Sequence, residues 1–262
     1  MIRHKRSPWQ VQQAVVIALL LRELKTRFGK HRLGAPWLFL EPIAHLTLLM
    51  FIAGTIRGTT IPGVEFPVFL LAGIVPYIMF RSITTRVMEG VESNMGLFNY
   101  RHIKPMDVFL SRALLEVVLY AMVLCLMVAG LLWVGFHVAV PAPLEFMLLL
   151  TALVAMGLGL GLVLSVVTDL SPESKPIIRM LFLPLYFVSG VLFPVALLPT
   201  IYREWMSWNP LFHAVELLRH TFLPNYEMVP EANLNNFLEP SLVVLFLGLA
   251  LYRVRRLAMV TR

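Results

Sequence analysis

The chain has 262 residues, of which 58% are hydrophobic and only 14% charged, with a mean hydropathy of +0.78. That balance excludes an ordinary water-soluble globule, a disordered chain and a coiled coil, and the lone Cys125 excludes an intrachain disulfide scaffold. The formal charge of +7 would suggest a nucleic-acid partner in a soluble protein, but in a membrane chain its meaning lies in where the charges sit.

In chain order, Arg3, Lys5 and Arg6 precede the apolar run 14–21, which is short, lacks a small-x-small cleavage site and is followed by Arg22, Lys25 and Arg27. It is therefore expected to stay in the mature protein. Residues 9–28 read as an amphipathic helix lying in the membrane interface, with Val11, Val15, Ala18, Leu19 and Leu21 toward lipid. A helix packed on other protein is the alternative. A hydrocarbon core of about 30 Å takes roughly 20 mostly apolar residues. Segments 37–56, 66–83, 108–136, 144–168 and 177–198 meet that length, and a shorter sixth, 237–252, ends in the basic anchor Arg253, Arg255 and Arg256. Between the last two, 211–223 is too short to span and too apolar for a free loop, and reads as a re-entrant or interfacial helix.

The expected fold is thus an all-α polytopic membrane protein. It has a cytoplasmic segment with the interfacial helix (1–36) and a single six-span transmembrane domain (37–262). Charge orients it: with both termini and the second and fourth connections in the cytoplasm, 19 of the 22 Lys and Arg residues lie inside, leaving Arg57, Arg203 and Arg219 outside. Gly157 and Gly161 sit at small-x-x-x-small spacing, which lets helices approach closely. Pro184, Pro194 and Pro199 predict a bent or broken fifth segment.

Polar groups inside spans are the functional candidates. Glu41 and His45, four apart, suit a hydrogen-bonded pair, a proton relay or half a metal site; a structural or substrate-lining pair is the simplest reading. Arg112 and Glu116 repeat that spacing as a local ion pair. His213 and Glu216 have no nucleophile beside them, and the chain lacks HExxH, GxSxG and a phosphate-binding Gly-x-x-x-x-Gly-Lys-Ser/Thr loop. It is therefore expected not to be an enzyme by itself, to bind no cofactor, metal or nucleic acid, and to draw any ATP-driven work from another polypeptide. The connection 86–107 contains an amphipathic stretch, 91–100, that suits docking of a cytoplasmic partner.

These residues carry a resemblance. The run Leu21 to Gly34 (LRELKTRFGKHRLG), Trp37, Leu40 to His45 (LEPIAH), Phe66 to Leu70 (FPVFL) with Gly73 to Pro76 (GIVP), and Gly96 to Arg101 (GLFNYR) with Lys104 and Pro105 are similar to the permease subunit of ABC-2 type polysaccharide exporters. So are Pro184 to Phe187 (PLYF), Trp208 to Leu211 (WNPL) and His213 to Glu216 (HAVE). The closest fit is to the group 2 capsular polysaccharide export permeases of Gram-negative inner membranes.

The resemblance implies a homodimer joined to two copies of a cytoplasmic ATPase, which binds the ATP and Mg. It implies a lipid-linked acidic polysaccharide as cargo, handed on to a periplasmic polysaccharide co-polymerase and an outer-membrane export protein. It maps ATPase coupling onto Glu92, Ser93, Asn94, Phe98, Asn99, Tyr100 and Arg101. Around the loop 29–37 it places a substrate entrance, assigned to Arg22, Lys25, Arg27, Lys30, Arg32 and Trp37. This cationic rim fits attraction of a polyanion and fits positive-inside topology equally. Glu41, His45, Tyr77, Phe80 and Arg81 are the conduit-lining candidates. The alternatives are an O-antigen or teichoic acid exporter and, in another class, a membrane-embedded glycolipid-modifying enzyme.

Overall fold

A computed structural model of the chain describes residues 7–28, 34–56, 64–98 and 103–259; at 8, 9, 11, 27, 28, 34–38, 41, 42 and 53–56 it describes backbone alone. Among the described residues the chain is helical, without strands: α1 (Pro8–Phe28), α2 (Gly34–Ile56), α3 (Phe66–Met88), α4 (Pro105–Val134), α5 (Pro143–Leu170), α6 (Ser174–Val188), α7 (Thr200–Met206), α8 (Pro210–Phe222) and α9 (Asn235–Arg255). Short 3-10 helices lie at Glu92–Leu97 and Val195–Leu197. Four helices, α3, α4, α5 and α9, are long and apolar enough to cross a membrane.

Hydrophobicity alone does not tell these helices apart; their neighbours do. In α4 the residues Leu115, Leu119, Val123, Met127 and Leu131 are buried, while Leu110, Leu114, Val118, Met122 and Leu126 form an exposed apolar stripe at the same four-residue spacing. A helix apolar on both faces and packed on only one turns the other to lipid. By contrast α3 is buried nearly all round, from Val68 through Met88, and is the central post of the bundle.

Small residues set how closely the helices approach, because lipid offers no hydrophobic drive for helix association and contact depends on fit. A Cβ on Gly161 would stand 2.6 Å from the Val87 side chain, and one on Gly157 would stand 3.3 Å from Phe80, so both glycines face α3 as their spacing predicts. Gly159, between them, faces the other way: its Cβ would meet the Leu245 backbone at 2.5 Å, and a Cβ on Gly248 would meet the Gly159 carbonyl at 2.5 Å. One glycine run therefore seats α5 on both α3 and α9. The other end-forming choices are local. Pro105 opens α4 at a position needing no N–H, and Asp107 Oδ2 accepts from the Lys104 amide at 2.9 Å. Gly135 closes α4 at φ +101, a conformation that a Cβ disfavours.

The fifth segment is broken, as expected, but at Gly190 and not at one of its prolines. Instead of running through 177–198, the helix stops at Val188, so that its 15 residues cover about 22 Å, short of the hydrocarbon thickness. Pro184 is accommodated inside α6; the break comes at Gly190, whose φ of +69 turns the chain into the non-helical 191–194. The expected helix at 211–223 is α8, too short to span, almost wholly buried and enclosed by α3, α5 and α9.

Candidate transport sites at the two ends of the bundle

At one end, α1 lies along α4 and is held there by polar groups. Gln12 donates to Asp107 Oδ1, and Glu23 Oε1 lies 3.3 Å from Arg112 Nε, both side chains being largely buried. Arg112 also donates to the Arg86 carbonyl at 2.9 Å, and Arg86 Nε stands 3.5 Å from Glu116 Oε1. The sequence expects Arg112 and Glu116 to form a pair within one helix. In the fold their charges also bind α1 and α3, because the ends of three helices converge there.

The same end carries the 3-10 helix Glu92–Leu97. Asn94, which departs from helical geometry at φ −131, is buried: its Nδ2 donates to the Gly90 carbonyl at 2.9 Å and its Oδ1 accepts from Arg22 at 2.7 Å. Val91 is buried beside it, whereas Glu92, Ser93 and Gly96 face outward. Two acids near this end reach α6: Glu92, the first residue of the 3-10 helix, meets Lys175, and Glu89, which caps the end of α3, meets Arg179. A cavity of about 230 Å³ opens between the 3-10 helix, the end of α5 and the start of α6, with Met88, Met95, Ser165 and Lys175 among its lining residues.

At the opposite end α8 carries a buried ionic network. Arg219 is fully buried, donates from Nη1 to the Gly190 carbonyl (2.8 Å) and from Nη2 to the Val191 carbonyl (2.6 Å), and lies 3.4 Å from Glu216. Its guanidinium carbon stands 3.7 Å above the Phe69 ring, and Gly73 leaves room for it: a Cβ there would be 2.6 Å from Nη2. Tyr226 donates to both oxygens of Glu216, at 2.9 and 3.0 Å. Burial pushes the Glu216 carboxyl above its usual range, opposed by Arg219 and Tyr226, and burial beside Glu216 keeps the Tyr226 phenol protonated.

His213 is tied at both ring nitrogens, Nε2 to the Ser207 carbonyl (2.7 Å) and Nδ1 accepting from the Asn233 amide (3.2 Å). Burial lowers its pKa, in keeping with this neutral tautomer. The His213–Glu216 pair thus does structural work in α8.

The remaining sequence candidates fall as follows. Arg22 and Lys25 are exposed on α1, and Arg22 links that helix to the coupling stretch through Asn94. His45 and Arg81 are exposed, on α2 and α3. Tyr77 and Phe80 are buried between α3 and α6, where the Tyr77 hydroxyl donates to the Phe182 carbonyl and the ring lies 5.0 Å from that of Tyr186. Phe98 is half-buried. The side chains of Arg27, Trp37 and Glu41, and Lys30, Arg32, Asn99, Tyr100 and Arg101 entirely, lie outside the described residues. Sequence reasoning counted Arg219 only as one of three outer charges. Its spacing from Glu216 was visible, but its partners at 69, 190 and 191 were not.

A central buried helix, glycine-seated neighbours and four helices long and apolar enough to cross a membrane, among the described residues, define a polytopic α-helical membrane protein. The family model for ABC-2 type transporters matches residues 14–223, and the chain belongs to that family. It is a permease and not an enzyme. Among individual proteins it is similar to the polysialic acid transport protein KpsM of Escherichia coli, at 43% identity over 98% of this chain and 99% of the relative. It also resembles the capsule polysaccharide export inner-membrane proteins CtrC of Neisseria meningitidis (30%, over 92% and 90%) and BexB of Haemophilus influenzae (27%, over 93% and 91%).

Proposed function

We propose that this chain is the inner-membrane permease of an ATP-driven exporter that carries lipid-linked capsular polysaccharide out of the cytoplasm. The observation that carries the reading is end-to-end similarity to KpsM, a polysialic acid transport protein. The outline of the working unit is a homodimer with two cytoplasmic ATPase subunits that bind ATP and Mg, delivering an acidic polymer to periplasmic and outer-membrane export components. The reading keeps six spans with both termini inside, supported by the four long apolar helices α3, α4, α5 and α9 and by the distribution of 19 inner against three outer basic residues, with α2 and the short α6 taken as the other two.

In this reading the end that carries α1 and the 3-10 helix is cytoplasmic. Arg22, Lys25, Arg27, Lys30, Arg32 and Trp37 receive the lipid-linked chain at the entrance, and Glu41, His45 and Arg81 border the conduit between the two copies; Tyr77 and Phe80, expected beside them, are buried between α3 and α6 and pack the core behind that face. The stretch 92–101, with Glu92 and Ser93 turned outward, takes the push of the ATPase. The test is export of a defined lipid-linked acidic polymer into sealed inverted vesicles holding this chain and the ATPase that co-purifies with it. ATP-dependent accumulation of polymer is expected. Absence of any co-purifying ATPase, with chemical modification of the lipid-linked sugar by the chain alone, would sink the exporter reading.

A further inference from the structure

We propose that Lys175 and Arg179 are coupling residues that fasten the segment 89–97, from the cap of α3 through the 3-10 helix, to α6, so that α6 carries its displacement to α8 at the opposite end. The inference rests on the reading of 92–101 as the coupling stretch and names the route by which its movement leaves.

Four observations bear on the route. First, the contact is complementary in charge. Lys175 and Arg179 are four apart on one face of α6, and each meets one acid of the segment 89–97: Lys175 meets Glu92 at the start of the 3-10 helix, and Arg179 meets Glu89 at the end of α3. Second, the alternative recipient is held off. The cavity of about 230 Å³ lies between the coupling element and the end of α5, and the Ser165 hydroxyl there is buried without a hydrogen-bond partner. Third, α6 is less enclosed than its neighbours. It packs on α3 and α5 only over short stretches, with the Tyr77 hydroxyl donating to the Phe182 carbonyl, and leaves Ile177, Met180, Leu181 and Leu183 exposed, whereas α3 is wedged among α4, α5 and α8.

Fourth, the far end of α6 is gripped by α8 at two points. Just past that end, the carbonyls of Gly190 and Val191 accept from Arg219, and Ser189 Oγ accepts from Asn209 Nδ2 at the start of α8. Gly190, at φ +69, provides the bend that lets α6 and the following chain change angle without unwinding either. Alongside the Arg22–Asn94 bond to α1, a movement of the segment 89–97 thus leaves through the ion pairs of Lys175 and Arg179 on α6, and lands at Asn209 and Arg219. Arg219 acts through the carbonyls it holds and is a positioning residue.

The experiment uses the whole complex, this chain with its ATPase, in sealed inverted vesicles, and measures polymer exported per ATP hydrolysed. Arg179→Glu is expected to lower that ratio about tenfold, within the usual range of a coupling free energy. Arg179→Lys is expected to keep it, and Glu89→Arg with Arg179→Glu to restore it. An Arg179→Glu complex that exports at the parent ratio overturns the route, as does a charge exchange that restores nothing.

A second measurement does not depend on any charge variant folding. With Cys125 replaced by Ser, spin labels are placed at Ser93 paired with Ile177 on α6, or at Ser93 paired with Leu170 on α5. The 93–177 distance is expected to hold between nucleotide-free and ATP-bound states while the 93–170 distance changes; the reverse pattern overturns the proposal. Failure of the parent complex to export or to hydrolyse ATP would instead count against the transport reading itself, so the two failures are distinct.

Discussion

Replacing Arg219 with Met removes a fully buried cation that holds two carbonyls and a carboxylate. The substitution deletes two charged donors to the Gly190 and Val191 carbonyls and the pair with Glu216, all at full burial. Breaking one side of a buried ion pair costs about 3–5 kcal/mol, chiefly because the other charge is left without compensation. Here Glu216 has a partial escape: burial already raises its pKa, so it takes up a proton once Arg219 is gone and continues to accept from Tyr226.

The lower end, about 3 kcal/mol, is therefore expected. In a chain of this size that lowers the unfolding temperature by about 6–12 °C, read by intrinsic fluorescence of the purified protein in detergent. Glu216→Gln combined with Arg219→Met, which removes both charges, is expected to recover much of the loss, since an apolar or neutral replacement of a buried pair is far cheaper than an orphaned charge. An Arg219→Met protein that unfolds within about 2 °C of the parent would refute the argument that this network fixes α8.

Three further outcomes follow from the packing and charge. Gly159→Ala places a methyl 2.5 Å from the Leu245 backbone and is expected to destabilise by about 1–3 kcal/mol, whereas Gly130→Ala, with open space around it, is expected to be neutral; equal thermal shifts for the two would refute the glycine seat between α5 and α9. His213 has a folded pKa below its unfolded value of about 6.5, so its contribution to stability is complete above that pH and is lost as pH falls from there toward the folded value. His213→Gln is expected to flatten that part of the stability–pH curve, and an unchanged curve would show that the ring is not held neutral. Glu92→Lys, at an exposed position paired with Lys175, is expected to abolish export while membrane insertion and purification yield stay at parent level; unchanged export would remove the stretch 92–101 from coupling.

What the sequence determined by itself is what depends on composition and local spacing. Mean hydropathy found the membrane, run length located α3, α4, α5 and α9, and the four-residue spacing of Gly157 and Gly161 foretold a close helix contact, because these properties are read within one segment. The resemblance carried by the motifs from Leu21 to Glu216 named the family for the same reason. Tertiary structure alone decided what depends on partners far apart in the chain. Run length made 177–198 one span, but the Gly190 turn ends α6 at Val188, and the polar groups freed beyond it are taken up by Arg219, 29 residues from Gly190.

Likewise the spacing of Arg112 and Glu116 suggests a local pair, and only the convergence of helix ends brings Glu23 and Arg86 to them. A charged side chain in a membrane bundle takes whichever counter-charge or carbonyl the packing brings within reach, and sequence spacing constrains only those neighbours that share its helix.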